Sequence, residues 1–342
     1  MDYEQLHRDA LLIDSHNDTI VAHIRAGDVS LTGAPAGAAM SLPGTIAFLG
    51  GREYQPPPVD PCQVSFAKMR QGGMDAGFFS IDVTTARHNH LAYAMDGFGY
   101  LWNDVERSGA DVVFVRSAED IVRAKVTEKP AILLAIENAD CTEKSLGVVR
   151  SLYELGVRSI GMTHHVSSVA ADGCLEARDG VGLTQFGVAL VGEMNRLGML
   201  VDLAHISPGG FFHALEVSEK PVIFSHGNTR ALCDHPRNLT DEQLRALAEN
   251  GGVMGVTFVP DFVDADNPSL ECLLDHIDHI AEVAGIETAA IGSDFDGGGT
   301  LLEDAIGLPC ITEGLLRRGY SAEAVRKVLG ENTLRVLRST IG

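Results

Sequence analysis

Apolar residues along this chain gather into eight short runs, each ending in, or running straight into, a side chain able to line a site. The runs are Ala10 to His16, Gly77 to Asp82, Ala131 to Glu137, Arg158 to His164, Met199 to His205, Pro221 to His226, Gly252 to Phe258 and Ala289 to Asp294. They are continuous rather than alternating, the pattern of parallel strands covered by helices on both faces. Between them the pattern turns helical. Thr184 opens the amphipathic TQFGVALVGEMNRLG, closed by Gly198, and Thr240 to Gln243 has the form of a capping box before LRALAEN and Gly251. Ser269 to Val283 and Ser321 to Leu329 repeat the theme. Strands alternating with helices, joined by right-handed crossovers, predict an α/β fold, a (β/α)8 TIM barrel. In such a barrel the reacting groups sit at the C-terminal ends of the strands. The runs end mostly in residues that hold metals and move protons, so a metal site is expected at that face.

At 342 residues the chain exceeds the roughly 250 typical of such a barrel, so 1–342 reads as a single domain with room for long loops. The Val21 to Gln63 segment, rich in Gly, Ala and Pro and containing Pro56-Pro57-Pro58, reads as an inserted loop over the site or a surface excursion. The formal charge of −21, from 26 basic and 47 acidic residues, excludes a phosphate-tracking surface and with it nucleic acid as a partner. The N-terminal MDYEQLHRDALLIDSH has no basic region followed by a long apolar one, and the C-terminal VLRSTIG has no hydrophobic tail. No run reaches 18 uninterrupted apolar residues. The expectation is a soluble, cytoplasmic protein without a membrane partner. The six cysteines are scattered without a C-x-x-C pair and read as free, mostly buried thiols.

Candidate chemistry begins at His16-Asn17-Asp18. Residues two apart on a strand end face the same space, so an imidazole and a carboxylate converge there, a pair suited to zinc. Glu137 closes the otherwise apolar AILLAIE, where an ionised carboxylate is costly unless paired or metal-bound. His205 ends MLVDLAH and His226 ends PVIFSH. Alone, each histidine reads as a core residue satisfied by a backbone carbonyl. Together, at the level of His16, Asp18 and Glu137, they read as ligands. Five such ligands serve two metals only if one carboxylate bridges, and Glu137 is the central candidate. His165, next to His164, is expected in a supporting or solvent-facing position, because adjacent strand residues face opposite ways. His276 and His279 in LLDHIDHI are expected on a solvated helix face. Asp82 is open between orienting a ligand, binding substrate and a structural role, and Gly297 to Gly299 read as a tight turn.

SHND, AIENAD, MTHH, VDLAHIS, VIFSHGNTRALCDHPRN and IGSDFDG, in that order and spacing, resemble the membrane (renal) dipeptidase family of the amidohydrolase superfamily. The resemblance runs from about Leu11 to the C-terminal GENTLRVL. It implies two zinc ions per chain, one held by His16 and Asp18, the other by His205 and His226, with Glu137 bridging. It further implies that His164 contacts the scissile carbonyl, Arg237 binds the substrate's terminal carboxylate and Asp294 handles the catalytic water. Many barrel amidohydrolases use a carbamylated lysine as the bridge. Here all six lysines (Lys68, Lys125, Lys129, Lys144, Lys220 and Lys327) fall outside strand ends. The implied activity is hydrolysis of dipeptides with a free C-terminal carboxylate, tolerating a D-residue there. Animal members carry a secretion signal and lipid anchor that this sequence lacks, and TFVPDF places Val259 where the family often has an aromatic residue. Two other readings stay open: an amidohydrolase acting on an N-acylamino acid, lactam or lactone, and a non-catalytic metal-binding protein. Arg237 favours the dipeptidase over the first, and Asp294 argues against the second, since a closed structural site needs no extra carboxylate. A small dipeptide is the expected partner, and a homodimer is left open.

Overall fold

The computed structural model describes residues 2–21, 30–32, 62–86 and 88–342, so most of the Val21 to Gln63 insertion lies outside it. Nine strands are present among these residues: β1 (Ile13–Asn17), β2 (Ala76–Asp82), β3 (Val113–Phe114), β4 (Ala131–Glu137), β5 (Val157–Gly161), β6 (Leu200–Asp202), β7 (Ile223–Gly227), β8 (Val253–Val256) and β9 (Ala289–Ile291). All pairings are parallel, and β1 bonds both β2 and β9. The ring β1-β2-β4-β5-β6-β7-β8-β9 is therefore closed, the predicted (β/α)8 barrel. The eight runs supply its staves. The two-residue β3 is an addition the pattern does not show: it pairs with Ala131 and Ile132 at the start of β4, before β5 joins at Leu134.

Side-chain alternation sorts the core into two layers. Ile132, Leu134 and Ile136 of β4 pack outward with helix residues. Ala131, Leu133 and Ala135 join Ile13, Phe78, Leu200, Ile223, Val253 and Ala290 from other strands in a separate inner cluster. Glu137 shares the inward parity of Ala135, so the only acid on that strand points up the barrel axis.

The helix ends follow their sequence signals. Thr184 and Gly198 cap 185–197, the Thr240 capping box forms with Gln243, and Ser269 caps 270–284. The last segment runs longer than its pattern: Ala322–Arg326 continues through a π-helical turn into Asn332–Thr340, whose Leu334, Val336 and Leu337 pack with the inner cluster. The helix at 270–284 corrects one expectation. His276 is fully buried, its Nε2 bonded to Val263 O at 2.8 Å and its Nδ1 accepting from Thr229 N at 3.2 Å. His279, largely covered, pairs with Asp241 at 2.8 Å. A hydrophilic residue on the packed edge of a helix is invisible to periodicity when its polar atoms are satisfied by neighbouring loops. Among the described residues no helix is long and apolar enough to cross a membrane. No disulfide joins any two of the six cysteines, and four of them are buried.

Candidate active site

The site residues reach the C-terminal mouth of the barrel in two ways. Glu137 stays on a regular strand. His16 and His226 do not: β1 and β7 each lose register, between Asp14 and Asn17 and between Phe224 and Gly227. Ile13 and Ile223 face inward while Leu12 and Phe224 pack outward, so strict alternation would turn both histidines toward the helices. The local irregularity re-aims them, a common use of bulges beside active sites. His164, His205 and Asp294 each lie three residues past their strands. His205 and Asp294 adopt left-handed backbone conformations (φ 67° and 60°), as does Asn138 beside Glu137 (φ 78°). Backbone of this kind costs about 1–3 kcal/mol per residue and persists where its surroundings dictate the geometry.

The side chains converge closely. His205 Nε2 lies 2.7 Å from Glu137 Oε1 and 2.8 Å from His226 Nε2, and His226 Nε2 is 3.6 Å from the same Glu137 oxygen. On the other side His16 Nε2 lies 3.5 Å from Asp18 Oδ2 and 4.0 Å from Glu137 Oε2. Glu137 thus offers one oxygen to each pair. Asp294 Oδ2 approaches His226 Nε2 at 4.0 Å. His16, Glu137 and His226, and His16, Asp18 and Asp294, each place potential ligand atoms within 4.8 Å of one another. His16 Nε2 is buried and makes no hydrogen bond among the described residues, an expensive state for a polar atom unless a cation takes its lone pair. Nitrogen and carboxylate donors in this number suit zinc or a similar divalent ion.

Electrostatics agree with the geometry. Burial opposes charge on His16, but Glu137, Asp18 and Asp294 override it and push the ring's pKa up to about 10. Burial, with Asp18, Asp82 and Asp294 nearby and His16 opposing, drives the Glu137 carboxyl well above the ordinary range. Burial likewise lifts Asp294 to about 7. Both carboxyl shifts follow from burying several carboxylates side by side, a crowding of negative charge that a divalent cation would offset. Burial depresses His205 and His226 well below ordinary imidazole, with Arg237 adding to it, so both rings keep lone pairs available.

A cavity of about 310 Å³ opens over these groups, walled in part by Asp82, Thr84, His164, His165, Val259 and Phe262. The family model for membrane dipeptidases, peptidase family M19, matches residues 1–341. This chain belongs to that family. It is similar to a dipeptidase of Clonostachys rogersoniana, verJ, at 36% identity over 261 residues, 75% of this chain and 67% of the relative. An uncharacterised dipeptidase of Schizosaccharomyces pombe is also 36% identical, over 80% of this chain and 71% of its own. Among solved structures, a metallopeptidase of Rhodobacter sphaeroides, bound to a phosphinate mimic of the dipeptide L-Ala-D-Ala, superposes with a TM-score of 0.82 at 25% identity, covering 97% of this chain and 99% of its own. The protein is a peptide-bond hydrolase of the M19 dipeptidases.

Of the residues the sequence singled out, His16, Asp18, Glu137, His164, His205, His226 and Asp294 are brought together. Arg237 is placed differently. It is 1% exposed and absent from the cavity wall, its Nη2 bonded to His226 O at 3.0 Å and its guanidinium packed 5.5 Å from the Phe262 ring centre and 5.7 Å from that of Phe224. Its Nε and Nη1 find no hydrogen-bond partner among the described residues, and burial lowers its pKa. His165 departs from the solvent-facing expectation. Because β5 ends at Gly161, alternation no longer separates neighbours, and His164 and His165 both line the cavity, His164 stacked on His205 at 4.3 Å. Gly297 explains part of the glycine run: a Cβ there would collide with the carboxylates of Asp18 and Asp294. Asp82 caps Thr84 N at 2.7 Å while lining the cavity. Thr84 and Phe262 of the wall carried no signal beyond their nearness to strand ends, whereas Val259, marked in the sequence by the residue type the family often has there, does line the cavity. Gln63, at the end of the insertion, fastens the loop after β9 through Asp296 and the Gly299 and Leu302 carbonyls.

Proposed function

We propose that this M19 dipeptidase is a binuclear zinc enzyme that hydrolyses dipeptides bearing a free C-terminal carboxylate and accepts a D-residue at that position. The observation that carries the reading is the position of Glu137: its two oxygens face two separate donor sets, His205 with His226 and His16 with Asp18. The relative bound to an L-Ala-D-Ala mimic supports the stereochemical part. Two zinc ions held there would supply electrophilic polarisation of the carbonyl and acidify water by several pKa units. The protein's own groups do the rest. Asp294, across from Glu137 and 4.0 Å from His226, takes the proton of the attacking water and returns it to the leaving amine, the acid/base work amide hydrolysis demands. His164, whose pKa burial lowers, is neutral and keeps an N–H to donate to the carbonyl oxygen as negative charge develops. The buried, partly unsatisfied guanidinium of Arg237 offers donors for a carboxylate once Phe262 and its neighbours adjust to substrate.

Arg237 decides between this reading and a broader amidohydrolase, which its place off the cavity wall would favour. Steady-state kinetics on paired free and C-terminally amidated dipeptides test it. Losing a hydrogen bond to a charged group costs about 1.5–3 kcal/mol, so Arg237→Met should lower kcat/KM for free dipeptides by roughly tenfold to over a hundredfold. Amidated analogues should be poor substrates and lose little more. Equal turnover of both by the wild type would end the dipeptide-specific reading.

A further inference from the structure

Beneath the metal donors lies a buried polar chain that hydrolysis itself does not call on. Asp202 ends β6 and Ser225 sits mid-β7, on adjacent paired strands and with the inward parity of Leu200 and Ile223. Asp202 is buried and forms no ion pair among the described residues. Its Oδ1 accepts two backbone N–H bonds, from Ala204 and Ser225, both at 3.0 Å. Its Oδ2 accepts the Ser225 hydroxyl at 2.6 Å. Ser225 Oγ in turn meets His226 Nδ1 at 2.9 Å. A hydroxyl has one proton, and here it is committed to the carboxylate, so toward His226 the oxygen can only accept. The proton of a neutral His226 must then sit on Nδ1, leaving Nε2 bare where it faces Glu137 and His205.

We propose that Asp202 and Ser225 are positioning residues that lock His226 in the Nδ1–H tautomer and so present its Nε2 lone pair for a metal. This rests on the assignment of His226 as a ligand. His205 lacks such a device: its Nδ1 has no partner among the described residues, and its ring is held by stacking on His164 and by its left-handed backbone. The two histidines therefore differ in how their donor atom is fixed, and only His226 depends on a relay.

The relay has a direction that an isosteric change reverses. In Asp202→Asn, Oδ1 must stay on the two backbone N–H groups, since an amide NH2 there would oppose both. The Nδ2 is then forced against Ser225 Oγ as a donor. The hydroxyl accepts from it, turns its own proton to His226 Nδ1, and the imidazole proton moves to Nε2, where it blocks the metal. Removing the hydroxyl breaks the relay without reversing it, so Ser225→Ala should be milder, and Ser225→Ala added to Asp202→Asn should be better than Asp202→Asn alone.

The test compares wild type, Asp202→Asn, Ser225→Ala, the double variant and His226→Ala, each full length and first freed of metal. The tautomer of His226 is read from its ring-nitrogen shifts by 15N NMR, and zinc affinity by competition with a chromophoric chelator. Wild type should show the proton on Nδ1 and Asp202→Asn on Nε2. Outer-shell partners of metal-bound histidines are worth 10–100-fold in affinity, so Asp202→Asn should fall at the upper end and Ser225→Ala at the lower. The double variant should recover toward Ser225→Ala. Additive losses, or an unchanged tautomer in Asp202→Asn, overturn the relay. If Asp202→Asn does not fold, Ser225→Ala and Ser225→Thr decide: Thr keeps the hydroxyl and should hold zinc as wild type does, and equal affinity of all three overturns the proposal. Undiminished zinc binding by His226→Ala would instead overturn the ligand assignment, a separate failure.

Discussion

Gly297 and Asp294 show how little slack the site has at the scale of single residues. The loop after β9 passes so close to the Asp18 and Asp294 carboxylates that a methyl group does not fit, and Asp294 holds a left-handed backbone to aim inward. Asp294→Asn keeps that shape and removes only the capacity to take a proton. Its kcat should fall by roughly 10²–10⁴ while most bound metal remains. Turnover near that of wild type, measured alongside metal content, would take Asp294 out of the mechanism. Such residues were legible because acids and histidines at the ends of apolar runs are out of place there. His165 and Asp202 were harder to place: the first was sorted by an alternation that stops at Gly161, and the second is one more polar letter inside VDLAH.

At the scale of elements, the helix at 270–284 carries a histidine that works for stability. His276 bridges Thr229 after β7 and the carbonyl of Val263, tying two loops that frame the mouth. Replacing it with Leu strands a buried N–H and a buried carbonyl, each worth about 1–3 kcal/mol when unsatisfied. His276→Leu should therefore lower the unfolding free energy by at least that amount in urea titrations at pH 8. Burial, against the bond to Val263 O, depresses the imidazole's pKa, so the folded state resists protonation more than the unfolded chain, whose histidines titrate near 6.5. The stability this neutral ring supplies is complete above about that pH and is lost as pH falls toward the lower folded value. The gap between wild type and His276→Leu should narrow accordingly below pH 6.5. A gap that widens on acidification would show that the buried ring is charged.

At the scale of the whole molecule, the proposed ligands come from around the ring: His16 and Asp18 at β1, Glu137 at β4, His205 after β6 and His226 on β7. Metal bound there stabilises the closed barrel by mass action, about 2.7 kcal/mol at a hundred times the dissociation constant. Chelation should lower Tm reversibly, and Glu137→Gln should lose metal from both sites at once and most of that Tm difference. One metal per chain, indifferent to Glu137→Gln, would end the binuclear reading. The eight-stranded alternation, the helix caps and the identity of the polar strand endings were fixed by sequence alone, because they depend on local period, local hydrogen bonding and the cost of burying a carboxylate among Ile and Leu. Strict alternation, however, would have turned His16 and His226 outward. Register shifts against neighbouring strands brought them in, Phe224 and Phe262 covered Arg237, and pairing of β6 with β7 set Asp202 under Ser225. Each of these is a contact between residues far apart in the chain, and only the folded barrel supplies the neighbours that choose among the local alternatives.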